Sequence, residues 1–444
     1  MSSVDRSVDP SPKSKIRLRW PSQLLGPRPG LKEANLVAWT LLAAFLIVPY
    51  CLFLGVQLKS GAQFYRSNHP DFVYFYGVGR IVNEYPAARL YDYNLQVQVF
   101  NELSPARAGY YGPSPYPPFV AHFFALFALL PFTTAYLLWA AISLLLYLTG
   151  IAAVAKVAQL RNGFELSLFF CFALAFYPFF VETMFNGQLA AVAVCCVGLV
   201  VLADRRAHPF ASGIALSLLI YKPTLLVVLL PMLVLTRRFK ALGGFIVGAA
   251  ILFAATTGIA GFASWETYAR FLSLFGRVTG VNGQSTLDLP KYIDLISISH
   301  LVRGGRSPLG LGILAAVALT VAAWLGVLLW RSAKGDKPVQ CLAWAAALTW
   351  TLLLNFYVPL YDCSLVALSM LLTVAALQEL DWKSPLRWSV LLALLIFAAS
   401  WKTEAIAASY HVPLLSILLA ALGVSQLFLL SRGLGQPSKR EFCE

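Results

Sequence analysis

The sequence predicts an all-α protein that crosses a lipid bilayer about a dozen times. Of the 444 residues, 59% are hydrophobic and 12% are charged, which is about half the charged fraction of an average soluble domain. Apolar stretches of helical length recur from residue 36 to residue 431, and about 20 helical residues span the hydrocarbon core of a membrane. Lysine and arginine are concentrated in the short connections, as is typical of polytopic membrane proteins.

Residues 1–33 are rich in Ser, Pro, Lys and Arg, which predicts a disordered basic cytoplasmic segment attracted to anionic lipid headgroups. The first predicted span, 36–57, follows without a small-residue cleavage site, which favours a retained signal anchor over a removed signal peptide. The membrane domain is predicted to cover 34–431, and 432–444 to form a cytoplasmic tail.

Further spans are predicted from apolar runs, giving a bundle of about 11–13 transmembrane helices. Two apolar segments are irregular: 118–131 is short for a full span, and Lys222-Pro223 interrupts 210–235. We expect 118–131 to face outward or re-enter the membrane, unless the count of spans changes by one there. We expect 210–235 to form a hairpin with Lys222 at its tip. The regular spans lie near 134–155, 166–181, 188–203, 240–262, 308–330, 341–358, 363–379, 386–401 and 412–430.

Cation bias sets the predicted orientation, because short loops rich in Lys and Arg stay on the cytoplasmic side. Six basic clusters can all be placed inside, and the spans from residue 166 onward then alternate. Segments 57–117 and 263–307 become two large outer loops. The six clusters are Lys156/Arg161, Arg205/Arg206, Arg237/Arg238/Lys240, Arg331/Lys334/Lys337, Lys383/Arg387 and Arg432/Lys439/Arg440.

The charge and cysteine content exclude several functions. The net charge of +14 does not indicate nucleic-acid binding, because the cations are not gathered with aromatic residues on one soluble face. The seven cysteines are scattered without paired spacing, so we expect neither disulfides nor a metal site. No Asn-x-Ser/Thr sequon is present, which fits a multi-pass protein of a bacterial plasma membrane.

Asp71 is the candidate general base. It precedes an aromatic segment, Phe72 to Tyr76, that is predicted to begin a helix. A carboxylate soon after the first span can sit at the membrane interface, within reach of a lipid headgroup and a water-borne hydroxyl. The alternative is that Asp71 caps the helix, since Asp is common at that position. The two roles can coexist.

Lys222 is the candidate anion-binding residue. Its neighbours on both sides are apolar, so the lysine is costly unless it pairs or reaches the interface. Its partner would be a lipid phosphate, and the alternative is that it extends to the headgroups. Glu182, Asn186 and Gln188 are predicted to form a polar turn between spans, which is either a plain turn or a set of hydrogen-bonding groups for a sugar.

The remaining candidates lie at the edges of spans and in the second outer loop. Arg303 belongs to a basic set that could receive phosphates, because a guanidinium binds two phosphate oxygens. A solvated loop beside acidic headgroups is the alternative, and Gln284 lies in the same loop. Asp362 begins a span, and its side chain either caps that helix or points into a site. Tyr116 precedes two prolines that fix an extended backbone, so it either marks the helix start or contacts substrate.

In their order along the chain, these motifs resemble glycosyltransferase family 87 of the GT-C superfamily. The resemblance covers about residues 36 to 400 and implies a GT-C-like bundle with no cofactor. It also implies inverting, metal-independent transfer of a hexosyl unit, expected to be mannosyl, from a polyprenyl-phosphate donor, with Asp71 as base. The motifs are Asp71 to Tyr76, Leu90-Tyr91-Asp92, Tyr116-Pro117-Pro118, Pro131 with Trp139, Gly187-Gln188, Lys222-Pro223, Gln284-Ser285 and Pro359 with Tyr361-Asp362.

The acceptor is left open as a lipid or glycan hydroxyl. Mannoside-synthesising relatives tend to have a histidine near the late outer turn, where this chain has Tyr361-Asp362. A lipid phosphate leaves readily once its charge is neutralised, so one carboxylate and some cations suffice. The paired carboxylates of glycoside hydrolases are not needed.

Two other functions stay open from the sequence. A transporter or lipid flippase also uses interrupted helices like that at Lys222-Pro223, but that class usually has internal repeats, and none is found here. A polymerase or ligase of surface polysaccharide would keep lipid-linked sugar chemistry with a different acceptor.

Overall fold

The computed structural model describes residues 71–436 with short gaps at 106–111, 160–162, 279, 282–283, 286–288 and 304–307. Four helical residues of the first predicted span, Val48, Cys51, Leu52 and Gly55, are also described. The N-terminal segment 1–33, the rest of that span and residues 437–444 of the predicted tail lie outside the described residues.

The described chain is helical almost throughout, which confirms the predicted all-α class. The described β-structure consists of a short antiparallel pair in segment 263–307, β1 (Gly280–Val281) with β2 (Gln284–Ser285), and an isolated bridge between Tyr292 and Pro359. In chain order the helices are α1 (Phe72–Glu84), α2 (Tyr93–Leu103), α3 (Pro118–Phe127), α4 (Phe132–Ala158), α5 (Gly163–Leu174), a π-helix termed π1 (Pro178–Phe185), α6 (Ala190–Arg205), α7 (Pro209–Ser217), α8 (Leu226–Leu235), α9 (Phe239–Ala260), α10 (Ala263–Val278), α11 (Leu295–Arg303), α12 (Pro308–Ser332), α13 (Lys337–Leu353), α14 (Val366–Glu379), α15 (Lys383–Ser400), α16 (Thr403–Tyr410) and α17 (Leu414–Leu434), with 3₁₀ turns at Leu218–Tyr221, Pro223–Leu225 and Leu360–Leu365.

Six of the described helical segments are long and apolar enough to cross a membrane, and the bent pair of π1 and α6 raises the count to seven. The six are α4, α9, α12, α14 with its preceding 3₁₀ turn, α15 and α17. Shorter apolar helices fill the spaces between them. The protein is therefore a polytopic membrane protein, with helices of unequal length.

One end of the bundle, termed the site end, is identified by contacts between distant segments. Tyr221 Oη donates to the carbonyl of Leu189 at 3.2 Å, and Asn355 Nδ2 donates to the carbonyl of Thr224 at 2.7 Å. These bonds bring together the start of α6, the junction of α7 and α8, and the end of α13.

The opposite end, termed the basic end, gathers the other termini of the same helices. Arg238 pairs with Asp204, and Arg205 Nη2 donates to the carbonyl of Lys337 at 2.5 Å. Because 204 and 238 meet at this end while Lys222 lies at the other, segment 209–235 is a hairpin. Proline at 223 disfavours the helical conformation of the residue before it, and Lys222 has φ −138° and ψ 80°.

Segment 118–131 holds a helix too short to cross the membrane by itself. Its helix α3 has 10 residues and is therefore about 15 Å long, half of the hydrocarbon thickness. It packs on α1, where Asn83 Nδ2 donates to the carbonyl of Ala125 at 2.9 Å. Phe75 and Phe124 stack with ring centroids 5.0 Å apart. The expectation of an element that stops short of spanning agrees with this placement.

The predicted span 166–181 differs from the structure. The α-helix ends at Leu174, and the chain continues through a break into π1, which runs from Pro178 to Phe185. Proline lacks the backbone N–H needed to continue the α-helical ladder. Glu182 therefore lies on a helix rather than in a turn, and the reversal of direction falls at 186–189, where π1 and α6 meet at 119°.

Candidate active site

The site is built around Asp71, whose side chain is directed across the bundle rather than into its own helix. It occupies the N-cap position of α1 but makes no capping hydrogen bond, so the capping alternative is wrong. Its Oδ2 accepts a hydrogen bond from Gln188 Nε2 at 2.7 Å. The two residues are 117 positions apart in the chain, and Gln188 is 6% exposed. A neutral amide donor fixes the carboxylate without adding a positive charge.

The turn that carries Gln188 is fixed by backbone contacts. Phe72 N donates to the carbonyl of Asn186 at 2.9 Å, and Trp139 Nε1 donates to the carbonyl of Gly187 at 2.9 Å. Gly187 has φ +79°, and a Cβ there would lie 2.7 Å from Phe72 Cβ. Only glycine combines that conformation with that closeness, so the sequence places Gln188 beside Asp71 through this residue.

Glu182 lies on π1 close to the same carboxylate. It is 6% exposed, and its Oε2 accepts a hydrogen bond from Asn186 Nδ2 at 3.1 Å. Asp71 lies within electrostatic range of Glu182. Asp71, Glu182, Asn186 and Gln188 thus form one group, termed the amide cluster. Each of the two carboxylates accepts a hydrogen bond from a different neutral amide, Glu182 from Asn186 and Asp71 from Gln188.

Lys222 forms an ion pair with Asp362, which the sequence did not predict. The lysine side chain is 11% exposed and the aspartate 1% exposed, so the pair is buried. Lys222 Nζ also lies 4.4 Å from the ring centroid of Tyr361. The lysine therefore does not extend to the headgroups, and Asp362 does not cap the following helix. We term Lys222, Tyr361 and Asp362 the lysine cluster.

Tyr116 lies between the two clusters. Burial raises the pKa of its hydroxyl, and the carboxylates of Asp362 and Asp71 raise it further, although a hydrogen bond with Tyr361 acts in the opposite direction. The hydroxyl is therefore protonated at neutral pH and able to donate. Tyr91 Oη donates to the carbonyl of Tyr116 at 2.8 Å, which positions the segment ahead of α3.

Two atoms of these clusters are buried hydrogen-bond acceptors without a protein partner among the described residues: Gln188 Oε1 and Asp362 Oδ1. Buried polar atoms are usually satisfied, and one that is not calls for an explanation. A substrate hydroxyl would supply the missing donor in each case.

Sequence reasoning missed Glu404 and Asp294 at this end. Lys291 and Glu404 form an ion pair at 3.6 Å, and both lie within electrostatic range of Glu182. Asp294, which is fully buried, accepts from Val358 N at 3.0 Å and fixes segment 263–307 to the turn before Asp362. The only signal for Asp294 in the sequence is that it is an acidic residue in a loop predicted to be an outer loop. The sequence does not indicate which residue it contacts.

Other predicted residues lie outside the two clusters. Asp92 caps α2 by accepting from Leu95 N at 3.2 Å, as expected for an ordinary structural aspartate. Gln284 lies in strand β2 and Arg303 ends α11; their side chains lie outside the description. Asn282 and Gly283 lie outside the described residues. Among the residues that the structure describes, no group of three or more His, Cys, Asp or Glu is arranged to hold a metal ion.

Comparison with known proteins gives one finding. The family model described as glycosyltransferase family 87 matches residues 115–356, a little over half of the 444-residue chain. No curated protein and no solved structure matches. The match contains the whole amide cluster except Asp71, and it contains Lys222 but not Asp362. With its membrane-spanning helices, the chain belongs to glycosyltransferase family 87.

Proposed function

We propose that this membrane glycosyltransferase transfers a hexosyl unit, expected to be mannosyl, from a polyprenyl-phosphate donor to a hydroxyl of a lipid or glycan acceptor. The reaction would invert the anomeric centre on the non-cytoplasmic face. The observation that carries this proposal is the Asp71 carboxylate, held by Gln188 at 2.7 Å in a polar cluster at one end of an apolar bundle.

In the proposed reaction Asp71 accepts the proton of the acceptor hydroxyl. The hydroxyl oxygen forms a bond to the anomeric carbon as the bond from that carbon to the donor phosphate oxygen breaks. The electron pair of the broken bond stays on the leaving polyprenyl phosphate, which gains one negative charge, and the proton stays on Asp71. A positioned base of this kind typically contributes about 10² to 10⁴ in rate.

The lysine cluster is suited to the donor phosphate. An ammonium has three N–H donors, and one of those on Lys222 is directed to Asp362. The donor phosphate would bind Lys222 on the side away from Asp362. The ammonium would then stabilise the negative charge that grows on the phosphate as its bond to the anomeric carbon breaks. The sugar hydroxyls would then form hydrogen bonds with the Tyr116 hydroxyl and with two acceptors that have no partner among the described residues, Gln188 Oε1 and Asp362 Oδ1.

An apolar groove supports a donor with a lipid chain. The groove has a volume of about 640 Å³ and runs between α8 and α12 to the end of α13. Its lining includes Val227, Pro231, Leu314, Ala318 and Asn355. The same Asn355 binds the carbonyl of Thr224, two residues from Lys222. A polyprenyl chain in this groove would bring its phosphate to the lysine cluster.

The test is to incubate the purified protein with polyprenyl-phosphate mannose, glucose, galactose and arabinose, together with a membrane lipid extract as acceptor source. We expect consumption of one donor, with mannose the first candidate. Asp71→Asn keeps the acceptor of the Gln188 bond, so the fold should persist while turnover falls about 10² to 10⁴ fold. Asp381→Asn, an exposed carboxylate at the basic end, is the matched control and should keep full activity.

Near-normal transfer by Asp71→Asn would remove this residue from the mechanism. Movement of intact donor across reconstituted vesicles, with no donor consumed, would instead favour a flippase. Consumption of an oligosaccharide donor in place of the monosaccharide donors would favour a polymerase or ligase.

A further inference from the structure

A polar cavity lies at the basic end, at the opposite end of the bundle from the candidate active site. Its volume is about 200 Å³, roughly that of seven water molecules at about 30 Å³ each. The ends of α4, α6, α13 and α14 surround it. The lining residues with ionisable side chains are Lys156, Arg205, Arg206, Lys337, Cys341 and Glu379.

The charges around this cavity are unbalanced. Four cations face one carboxylate, Glu379. In the described part of the chain, none of the four has a carboxylate within 4.0 Å. Three helix C-termini at the cavity each contribute about half a negative charge and the N-terminus of α13 about half a positive charge, so together they offset about one of the formal excess of three. A net positive charge remains for an external anion.

The cavity is held in shape by Arg205, which joins two helices. Its Nη2 donates to the carbonyl of Lys337 at 2.5 Å and lies 3.0 Å from Cys341 Sγ. The side chain is half-buried, whereas Lys156, Arg206 and Lys337 are exposed at the rim. A fixed guanidinium at the wall with exposed cations at the rim is an arrangement suited to a phosphate, which a guanidinium binds through two oxygens.

We propose that this cavity binds the headgroup phosphate of an anionic membrane lipid. The cavity opens where apolar helices end, which is the depth at which headgroups lie, and basic pockets between transmembrane helices at the cytoplasmic side are known lipid-headgroup sites. Its volume admits a phosphate with part of its glycerol. The bound lipid would join the ends of α4, α6 and α13, and the site does not depend on the proposed transferase reaction.

The experiment compares the full-length protein in nanodiscs of phosphatidylglycerol and of phosphatidylcholine, with native mass spectrometry of retained lipid and thermal unfolding as readouts. The test variant is Lys156→Gln/Arg206→Gln/Lys337→Gln, which changes only exposed rim residues. The matched control is Arg331→Gln/Lys334→Gln/Lys383→Gln, which removes the same charge from exposed positions at the same end that do not line the cavity.

We expect the natural protein to retain phosphatidylglycerol at least about tenfold more tightly than phosphatidylcholine, and the test variant to lose that preference while the control keeps it. The melting temperature should rise in phosphatidylglycerol for the natural protein and the control only, since a ligand of the folded state stabilises it. Equal retention by the two triple variants would overturn the proposal.

A separate arm distinguishes the two sources of phosphate. Millimolar inorganic phosphate is added in phosphatidylcholine nanodiscs at matched ionic strength. We expect no rise in melting temperature, because the lipid is the ligand. A rise equal to that produced by phosphatidylglycerol would show a site for free phosphate and overturn the lipid assignment. If the triple variant does not fold, the single variant Arg206→Gln is compared with Lys334→Gln by the same readouts.

Discussion

The two ends of the bundle carry charge in opposite ways. At the site end the groups of the two clusters are buried or half-buried and bind across long separations in sequence, as in the Lys222–Asp362 pair and the Gln188–Asp71 bond. At the basic end most cations are exposed on short connections, as Lys383 is at 79%. Buried charges are costly to keep, whereas the placement of exposed cations follows the cation bias of short loops. The difference supports the proposal that the transferase chemistry belongs to the site end.

The largest expected effect is a difference in labelling between residues placed on opposite sides of the membrane. In a cysteine-free background, Arg270→Cys on α10 and Lys383→Cys at the start of α15 place thiols at side chains that are 73% and 79% exposed. An impermeant maleimide added to intact cells should label position 270 and not position 383. Permeabilised cells should show both labelled. Labelling of both positions in intact cells would contradict the proposed orientation of the two ends.

The next largest effect tests the buried pair. Lys222→Met leaves Asp362 buried with an uncompensated charge, and breaking a buried pair in this way destabilises by about 3–5 kcal/mol. Lys222→Met/Asp362→Asn removes both charges and should recover much of the melting temperature. Donor binding should stay weak in both variants, because the cation is absent. A single variant as stable as the double variant would show that the pair is not buried as described.

A smaller loss is expected at the turn beneath Asp71. Gly187→Ala forces a side chain into φ +79° and against Phe72, and such strain costs about 1–3 kcal/mol. Turnover should fall together with the melting temperature, because the Gln188 amide shifts from Asp71. Gly258→Ala, where a Cβ meets nothing within 4 Å, is the control. Unchanged turnover in Gly187→Ala would show that this turn does not position the base.

The smallest effect is expected from an exposed pair at the basic end. Asp381 and Lys383 are 4.0 Å apart with side chains about 80% exposed, and exposed pairs contribute little. Asp381→Asn should leave both the melting temperature and the transferase activity unchanged. A drop comparable to that of Lys222→Met would remove the distinction between the two ends.

The sequence predicted the features that depend on local composition. The apolar runs gave the fold class, and proline after Lys222 together with flanking basic loops gave the hairpin, predicted at 210–235. The short run at 118–131 gave an element too short to span the membrane as a single helix. These follow from hydrophobic length, cation placement and proline chemistry, each of which acts within a few residues.

The pairings within the candidate site were not predictable in the same way. Lys222 and Asp362 are separated by 140 positions, and their meeting depends on how the hairpin packs against the end of α13 and the turn after it. Glu182 was assigned to a turn because the continuation of the helix beyond Pro178 is π-helical, and no periodicity of the α-helix reveals that. The capping alternative for Asp71 failed because a distant amide competes successfully for its carboxylate.

The turn beneath Asp71 is held through main-chain atoms: Trp139 binds the Gly187 carbonyl, and Phe72 N binds the Asn186 carbonyl. Neither of these hydrogen bonds involves the side chain of Asn186. A substitution at position 186 would leave both main-chain bonds in place and remove the Asn186 side-chain hydrogen bond to Glu182, so the surroundings of Glu182 can be varied separately from the turn that holds Gln188.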